Sequence, residues 1–241
     1  MERNGEGDLV IEVRPMGVGD AGPVCQVEAA AFGAWLEEAK GKESDLPPRT
    51  RANVLLLREK DPAGCFVAED EGSVVGFIFS RTWGTVGWFG TFGVLPERQG
   101  AGIGQRLINA SLEYLRQEPG RLIGLETMPD SADNLGLYLS RGFEARMLTL
   151  KLRKKLDSST GAELGLPSWS EAGTKDRRRW LTDLREATGH IRPGLDYTKE
   201  ILSSARHQLG ETVILKEGRR AIGFSAVRLR DRREGQDKER A

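Results

Sequence analysis

The sequence predicts an α/β fold, and three observations carry the prediction. Residues Cys65 to Asp70 and Ser73 to Ser80 are two short apolar, β-branched and aromatic runs separated only by Glu71-Gly72, which is the pattern of a β-hairpin. From Ile103 to Gln117 the apolar positions Ile103, Leu107, Ile108, Leu112 and Leu115 recur at steps of three and four, the period of an amphipathic helix. Between these signals, Trp88 to Val94 reads as a strand that stops at Pro96 and passes through a glycine-dense turn directly into that helix.

The remaining elements follow in chain order. Asp8 to Pro15 is a short strand ended by proline, and Asp20 is placed to cap a helix over about Ala21 to Phe32, with Val24, Val27, Ala30 and Ala31 toward the core. Gly33 to Thr50, charged and carrying Pro47-Pro48, is expected to hold a second short helix and a mobile loop. Arg51 to Lys60 follows as a helix. The strand before the turn begins at Trp83, and its glycines Gly84, Gly87, Gly90 and Gly93 predict bulges or close backbone approach. After the amphipathic helix, Arg121 to Glu126 is a strand, Asp130 and Ser131 precede a helix ending at Gly142, and Phe143 to Leu152 returns as a strand.

The turn itself suggests a chemistry. The first N–H groups of a helix lack intrahelical partners, and the macrodipole adds about half a positive charge at that end. Gly100, Gly102 and Gly104 remove the Cβ atoms that would keep a diphosphate from the backbone N–H groups of about Gln99 to Gly104. An ordinary tight turn would need one glycine rather than three. A P-loop is excluded, because Gly104 is followed by Gln105-Arg106 where that motif requires Lys-Ser/Thr. The dinucleotide fingerprint requires Gly-x-Gly-x-x-Gly and the run here is Gly-x-Gly-x-Gly, although Glu126 falls near the expected distance downstream. An oxidoreductase therefore stays open as an alternative.

Gln99-Gly100-Ala101-Gly102-Ile103-Gly104 resembles the Q/R-x-x-G-x-G/A motif of the GNAT superfamily of N-acetyltransferases, and Gly93-Val94-Leu95-Pro96-Glu97 looks like the strand leading into it. A second signature, Tyr138 followed four residues later by Gly142-Phe143, is similar to that family's pattern as well. The likeness runs from about Leu9 to Leu152. It implies a GNAT fold: a mixed, mostly antiparallel central sheet flanked by helices, with a bulged strand splaying from its parallel neighbour.

The resemblance also implies direct acetyl transfer from acetyl-CoA to a primary amine of a small molecule or peptide. The pyrophosphate would lie on Gln99, Gly100, Ala101, Gly102, Ile103 and Gly104. The backbone of Phe92, Gly93 and Val94 would hold the pantetheine arm and polarise the acetyl carbonyl. Tyr138 becomes the candidate acid that protonates the leaving thiolate. Asn134, nearer the tyrosine than in the commonest family form, becomes a candidate cofactor contact. Glu126, at the end of the strand after the cofactor helix, is the candidate base, with a solvated strand-end carboxylate as the equal alternative. Trp35 is a candidate wall of the acceptor site or a packing aromatic. A non-catalytic acyl-CoA sensor or scaffold is the other class that the motifs allow.

Composition bounds the rest. The 241 residues carry 36 basic and 36 acidic side chains, so nothing in the overall balance calls for nucleic acid or a membrane surface. Basic residues exceed acidic ones from Glu171 onward. Two cysteines, Cys25 and Cys65, with only His190 and His207 beside them, make neither a disulfide framework nor a metal site. No long apolar run or signal-peptide core is present, and a cytoplasmic protein is expected.

Residues 1–155 read as a GNAT acetyltransferase domain, 156–175 as a linker, and 176–241 as a partial GNAT-like unit with a charged tail. In that last unit, helices at Asp176 to Thr188 and Asp196 to Leu209 precede a hairpin, Glu211 to Lys216 with Arg219 to Leu229. Helix, helix, strand, strand repeats the order from Asp20 to Ser80, with no second glycine turn. So small a unit cannot bury its sheet alone and is expected to pack on the first unit or on a second chain, as in a homodimer.

Overall fold

The computed structural model describes residues 11–40, 49–128, 131–147, 149, 165–227, 232–233 and 236–237, the side chains of 34–40, 232–233 and 236–237 excepted. The elements are β1 Glu12–Pro15, α1 Ala21–Lys40, α2 Arg51–Lys60, β2 Cys65–Asp70, β3 Ser73–Trp83, β4 Val86–Val94, α3 Ile103–Arg116, β5 Leu122–Gly124, α4 Ala132–Leu139, α5 Thr174–Ile191, α6 Thr198–Arg206, β6 Glu211–Glu217 and β7 Arg220–Val227. The first five strands form one sheet in the order β1-β2-β3-β4-β5. It is antiparallel throughout except at its edge, where β5 runs parallel to β4. This is the mixed, mostly antiparallel sheet that the family resemblance implies.

Two apolar layers cover it. On one face, Val75, Ile78 and Phe89 pack against Ile103, Leu107, Ile108, Leu112 and Leu115 of α3 and against Tyr138 of α4. The predicted stripe of α3 is thus its buried face. On the other, Val24 and Val27 of α1 with Val54 and Leu57 of α2 cover Val67, Phe77 and Phe79. Thr50 caps α2 by accepting from the Asn53 N–H at 3.3 Å.

Several elements depart from the sequence reading. Helix α1 runs through Gly33 to Lys40 rather than stopping near Phe32. Asp20 closes a short 3-10 turn instead of capping α1; its carboxylate accepts from the Gly17 N–H at 2.7 Å and from Arg14 at 2.7 and 2.9 Å. The strand expected from Trp83 to Val94 is divided, because Gly84, at φ +62°, and Thr85 form the tip of a β3–β4 hairpin. Residues 143–147 and 149 lie in no strand, contrary to the expected Phe143 to Leu152. The expected loop at 41–48, and Asp130, Leu150 to Leu152, the first part of the linker and most of the tail fall outside the described residues.

Residues 165–227 build a second, smaller unit. Strands β6 and β7 form a two-stranded sheet covered by α5 and α6, with Trp169, Trp180, Leu184, Ile201, Ile214 and Ala221 at its centre. The backbone of Pro167 and Trp169 hydrogen-bonds Ile214 and Thr212 at 2.9 and 2.8 Å, so the end of the predicted linker is stitched to β6. The unit packs on the first one at the β3–β4 tip. The Thr85 N–H donates to the Gly194 carbonyl at 3.1 Å and the Asp196 N–H to the Trp83 carbonyl at 3.3 Å. A Cβ on Gly84 would sit 2.0 Å from that Gly194 oxygen, so the approach needs glycine. Tyr197 packs against Trp83 with the rings tilted and their centroids 5.6 Å apart, and Glu200 accepts from Lys60 at 2.7 Å and from the Trp83 indole at 3.1 Å. At the centre, the Asp61 carboxylate, side chain 5% exposed, accepts from Thr82, Tyr114 and Lys199.

Candidate active site at the splayed edge of the sheet

Strand β4 creates the site by parting from β5. Their parallel pairing covers only Val86 to Trp88 against Leu122 to Gly124. Just beyond, β4 is bulged: Ile78 faces Phe92 and Ser80 faces Phe89, so one residue of β3 opposes two of β4, Gly90 and Thr91. A bulge of this kind bends the strand away from its neighbour. Among the described residues no strand covers the outer edge of β4 from there to Val94.

Which groups line that edge follows from strand alternation. The Leu95 N–H donates to Val75 on the β3 side at 2.9 Å. N–H and C=O of one residue point the same way and successive residues alternate, so Phe92 and Val94 point their backbone groups outward while Gly93 faces β3. The Gln99 side chain donates to the Val94 carbonyl at 3.1 Å, as that direction requires. Of the three residues predicted to hold the pantetheine arm, Phe92 and Val94 thus present polar groups to the opening. Gly93 serves packing instead, since a Cβ there would approach Ala31 of α1 and Phe77 to 3.2 Å.

The glycine turn lies at the end of this edge. Gly100 and Gly102 have φ of +79° and +75°, conformations that disfavour any side chain, and nothing lies within 4 Å of where their Cβ atoms would be. Gly104 differs: a Cβ there would make ordinary contact with the Phe92 ring, at 3.4 Å. Gly102 precedes α3 as its N-cap, and the first α3 bond runs from the Arg106 N–H to the Gly102 carbonyl. The N–H groups of Ile103, Gly104 and Gln105 therefore have no partner within the helix. The nearby arginines turn elsewhere: Arg98 pairs with Asp70 at 2.8 Å, and Arg106 donates to the Ile11 carbonyl at 3.0 Å. What the turn itself presents is backbone.

Tyr138 closes the other side. It is the next-to-last residue of a helix, α4, that ends in a Schellman motif: the Phe143 N–H donates to the Tyr138 carbonyl at 3.2 Å and that of Gly142, at φ +79°, to Leu139 at 3.0 Å. The apolar contact that accompanies this motif is Tyr138 against Phe143, with ring centroids 6.2 Å apart, and both rings meet Phe89 edge-on at 6.1 and 5.7 Å. The spacing of tyrosine, glycine and phenylalanine is thus a helix stop that fixes the tyrosine ring beside β4. Burial pushes the Tyr138 phenol up to about 12, so it holds its proton at any physiological pH. Asn134 sits half-buried in the first turn of α4, where its N–H is capped by Ser131 at 3.4 Å. Glu126 lies two residues past β5, exposed, accepting from Thr149 at 3.5 Å.

Sequence reasoning missed a charged pair on the opposite face. Glu28 of α1 takes the Arg49 Nε–H on both carboxylate oxygens at 2.9 and 2.8 Å, and Arg49 Nη2 donates to the Thr91 hydroxyl at 3.1 Å. Burial pushes the Glu28 carboxyl up against the opposing pull of Arg49. The one sequence signal was helical phase, because Glu28 stands three residues before the core position Ala31. The Trp35 side chain lies outside those described. The two thiols are not part of the site: Cys65 is buried in the core, which pushes it up to about 12, and Cys25 is half-buried on α1.

Among the described residues no helix is long and apolar enough to cross a membrane. A mycothiol acetyltransferase of Streptomyces griseus is 31% identical over 129 residues, 53% of this chain and 40% of that protein. One from Rhodococcus opacus is 32% identical over 137 residues, 53% of this chain and 43% of its own length. The chain thus spans less than half the length of these curated relatives. The crystal structure of a candidate acetyltransferase from Pyrococcus horikoshii has the same fold at a TM-score of 0.55, with 16% identity, over 90% of this chain and 71% of the other. Residues 29–143, which hold most of the sheet, the glycine turn and Tyr138, match the model of the Acetyltransferase (GNAT) family.

Proposed function

We propose that the chain is an N-acetyltransferase that carries an acetyl group from acetyl-CoA directly to a primary amine of a small molecule or peptide. The observation that carries this reading is the continuity of one polar track: the outward backbone groups of Phe92 and Val94 lead within a few residues to the unpartnered N–H groups at the head of α3. An extended thioester arm ending in a diphosphate needs such a track, whereas a dinucleotide-binding turn needs only its second part. Residues 1–155 are assigned to the transferring unit. The 156–175 segment and the 176–241 unit are assigned a supporting role on the β3–β4 hairpin.

In this mechanism the N–H groups following Gly102 hold the pyrophosphate, with Gln99 fixing the strand end. An outward N–H of β4 polarises the acetyl carbonyl as the amine attacks and negative charge gathers on oxygen. Tyr138 donates its proton to the departing thiolate. Its raised value makes it a weak acid on its own, but the same desolvation would raise the basicity of a thiolate beside it. Glu126, reachable from solvent, takes the amine proton directly or through water. Asn134 contacts the cofactor from the start of α4.

The test is the melting temperature with and without saturating acetyl-CoA. A ligand at about a hundred times its dissociation constant adds roughly 2.7 kcal/mol, about 5–11 °C for a chain of this size. The shift is expected to vanish in Gly102→Glu, whose side chain would put a carboxylate on a turn that needs positive φ. No shift in the parent protein, or a shift with NAD(H) instead, overturns the reading.

A further inference from the structure

The Glu28–Arg49 pair does something the acetyl-transfer reading has not used. Both side chains are nearly buried, 12% and 10% exposed. A buried ion pair gains little stability over apolar residues of similar volume, because desolvation offsets its attraction. What it does provide is orientation. The Glu28 carboxylate accepts the Arg49 Nε–H, which leaves the guanidinium plane fixed and its Nη2 directed at the Thr91 hydroxyl 3.1 Å away.

Thr91 is one of the two residues that make the β4 bulge, and the next residue, Phe92, offers an outward backbone N–H to the opening. Two residues on, Gly93 rests on Ala31, which lies on the same face of α1 as Glu28. Helix α1 therefore grips β4 at two alternate residues, once by packing and once through Arg49. The second grip falls where the strand has lost its β5 neighbour.

We propose that Glu28 and Arg49 are positioning residues for the acetyl group: Glu28 aims Arg49 at Thr91, and Thr91, so held, fixes the bulge that sets the direction of the Phe92 N–H. This rests on the acetyl-CoA reading above. The pyrophosphate lies at the far end of the track, on backbone that Arg49 does not touch. The pair therefore governs how well the acetyl carbonyl is recognised and leaves the grip on the rest of the cofactor alone.

The ratio of the dissociation constants of CoA and acetyl-CoA, measured by titration calorimetry, isolates that recognition and needs no acceptor. The parent protein is expected to bind acetyl-CoA about fivefold more tightly than CoA, the worth of one net hydrogen bond. Thr91→Val and Glu28→Gln should bring the ratio near one while CoA affinity stays within about twofold. Thr91→Ser, which keeps the hydroxyl and loses the methyl, should restore the parent ratio; a packing role predicts the reverse order, valine tolerated and serine impaired. An unchanged ratio in Thr91→Val and Glu28→Gln overturns the proposal, as does a parent protein that binds both ligands equally, and either result leaves the acetyl-CoA reading standing. A parent protein that binds neither ligand sinks that reading, and the proposal with it.

Discussion

Replacing Asp61 with asparagine tests whether the two units are locked together by one buried carboxylate. One of its oxygens accepts from Lys199 Nζ at 2.8 Å, the Thr82 hydroxyl at 2.8 Å and the Tyr114 hydroxyl at 3.1 Å; the other accepts from the Thr82 N–H at 3.0 Å. An asparagine has one acceptor end and one donor end. If its oxygen takes the first position, its NH2 faces the Thr82 N–H; if it is flipped, the NH2 faces three donors. Either way at least one buried donor loses its partner, costing about 1–3 kcal/mol. Loss of the charge opposite Lys199, which is 39% exposed and hence well screened, adds at most about 1 kcal/mol. The sum, about 1–4 kcal/mol, is a fall in melting temperature of about 2–16 °C for a protein of this length. Calorimetry of the full chain provides the measurement. A fall below about 2 °C would show that the carboxylate does not join the units; separation of one transition into two would show that it does.

Three further outcomes follow from the geometry. Tyr138→Phe removes a hydroxyl with no hydrogen-bond partner among the described residues, so acetyl-CoA affinity and melting temperature should hold, while turnover with a competent amine falls about 10²–10⁴-fold; equal turnover would remove the acid role. Gly142→Ala places a Cβ at φ +79° in the cap of α4, which should cost about 1 kcal/mol or more in denaturant unfolding and loosen Tyr138; an unchanged midpoint would refute the Schellman account. Arg14 holds the Asp20 carboxyl below its ordinary value of 3.8. The folded state thus favours the ionised form, so its stabilisation is present above about pH 4 and is lost as pH falls below that. Asp20→Asn should lower stability at pH 7 and flatten the acid limb of the pH–stability curve; a limb of unchanged slope would count against the pair.

Much of the site was legible because its signals are local. The glycines of the turn act through backbone conformation and the stripe of α3 through helical period, and both can be read along a single stretch of chain. The bulge in β4 was foreshadowed by its glycines. The Tyr138 signature was visible as a pattern, but its physical basis, a Schellman cap with Phe143 folded back on the tyrosine, needs the ring positions. The division of the long strand at Gly84 was missed because a glycine within a strand can mark a bulge or a hairpin tip equally well. The end of α1 was misplaced because Gly33 was read as a stop, whereas a glycine inside a helix costs only about 1 kcal/mol and need not end it.

By itself, the sequence determined the α/β class, the order of its elements, the glycine turn at the head of α3 and the tyrosine signature after it, because each depends on residues within one turn or one strand of each other. Only the tertiary structure decided which β4 groups face outward, that Arg49, paired with Glu28, reaches Thr91 across 42 positions of sequence, and that Lys199 reaches Asp61 across 138. Those contacts join charged side chains whose pattern along the chain is that of any solvated surface, and burial beside a particular partner is what gives them a role.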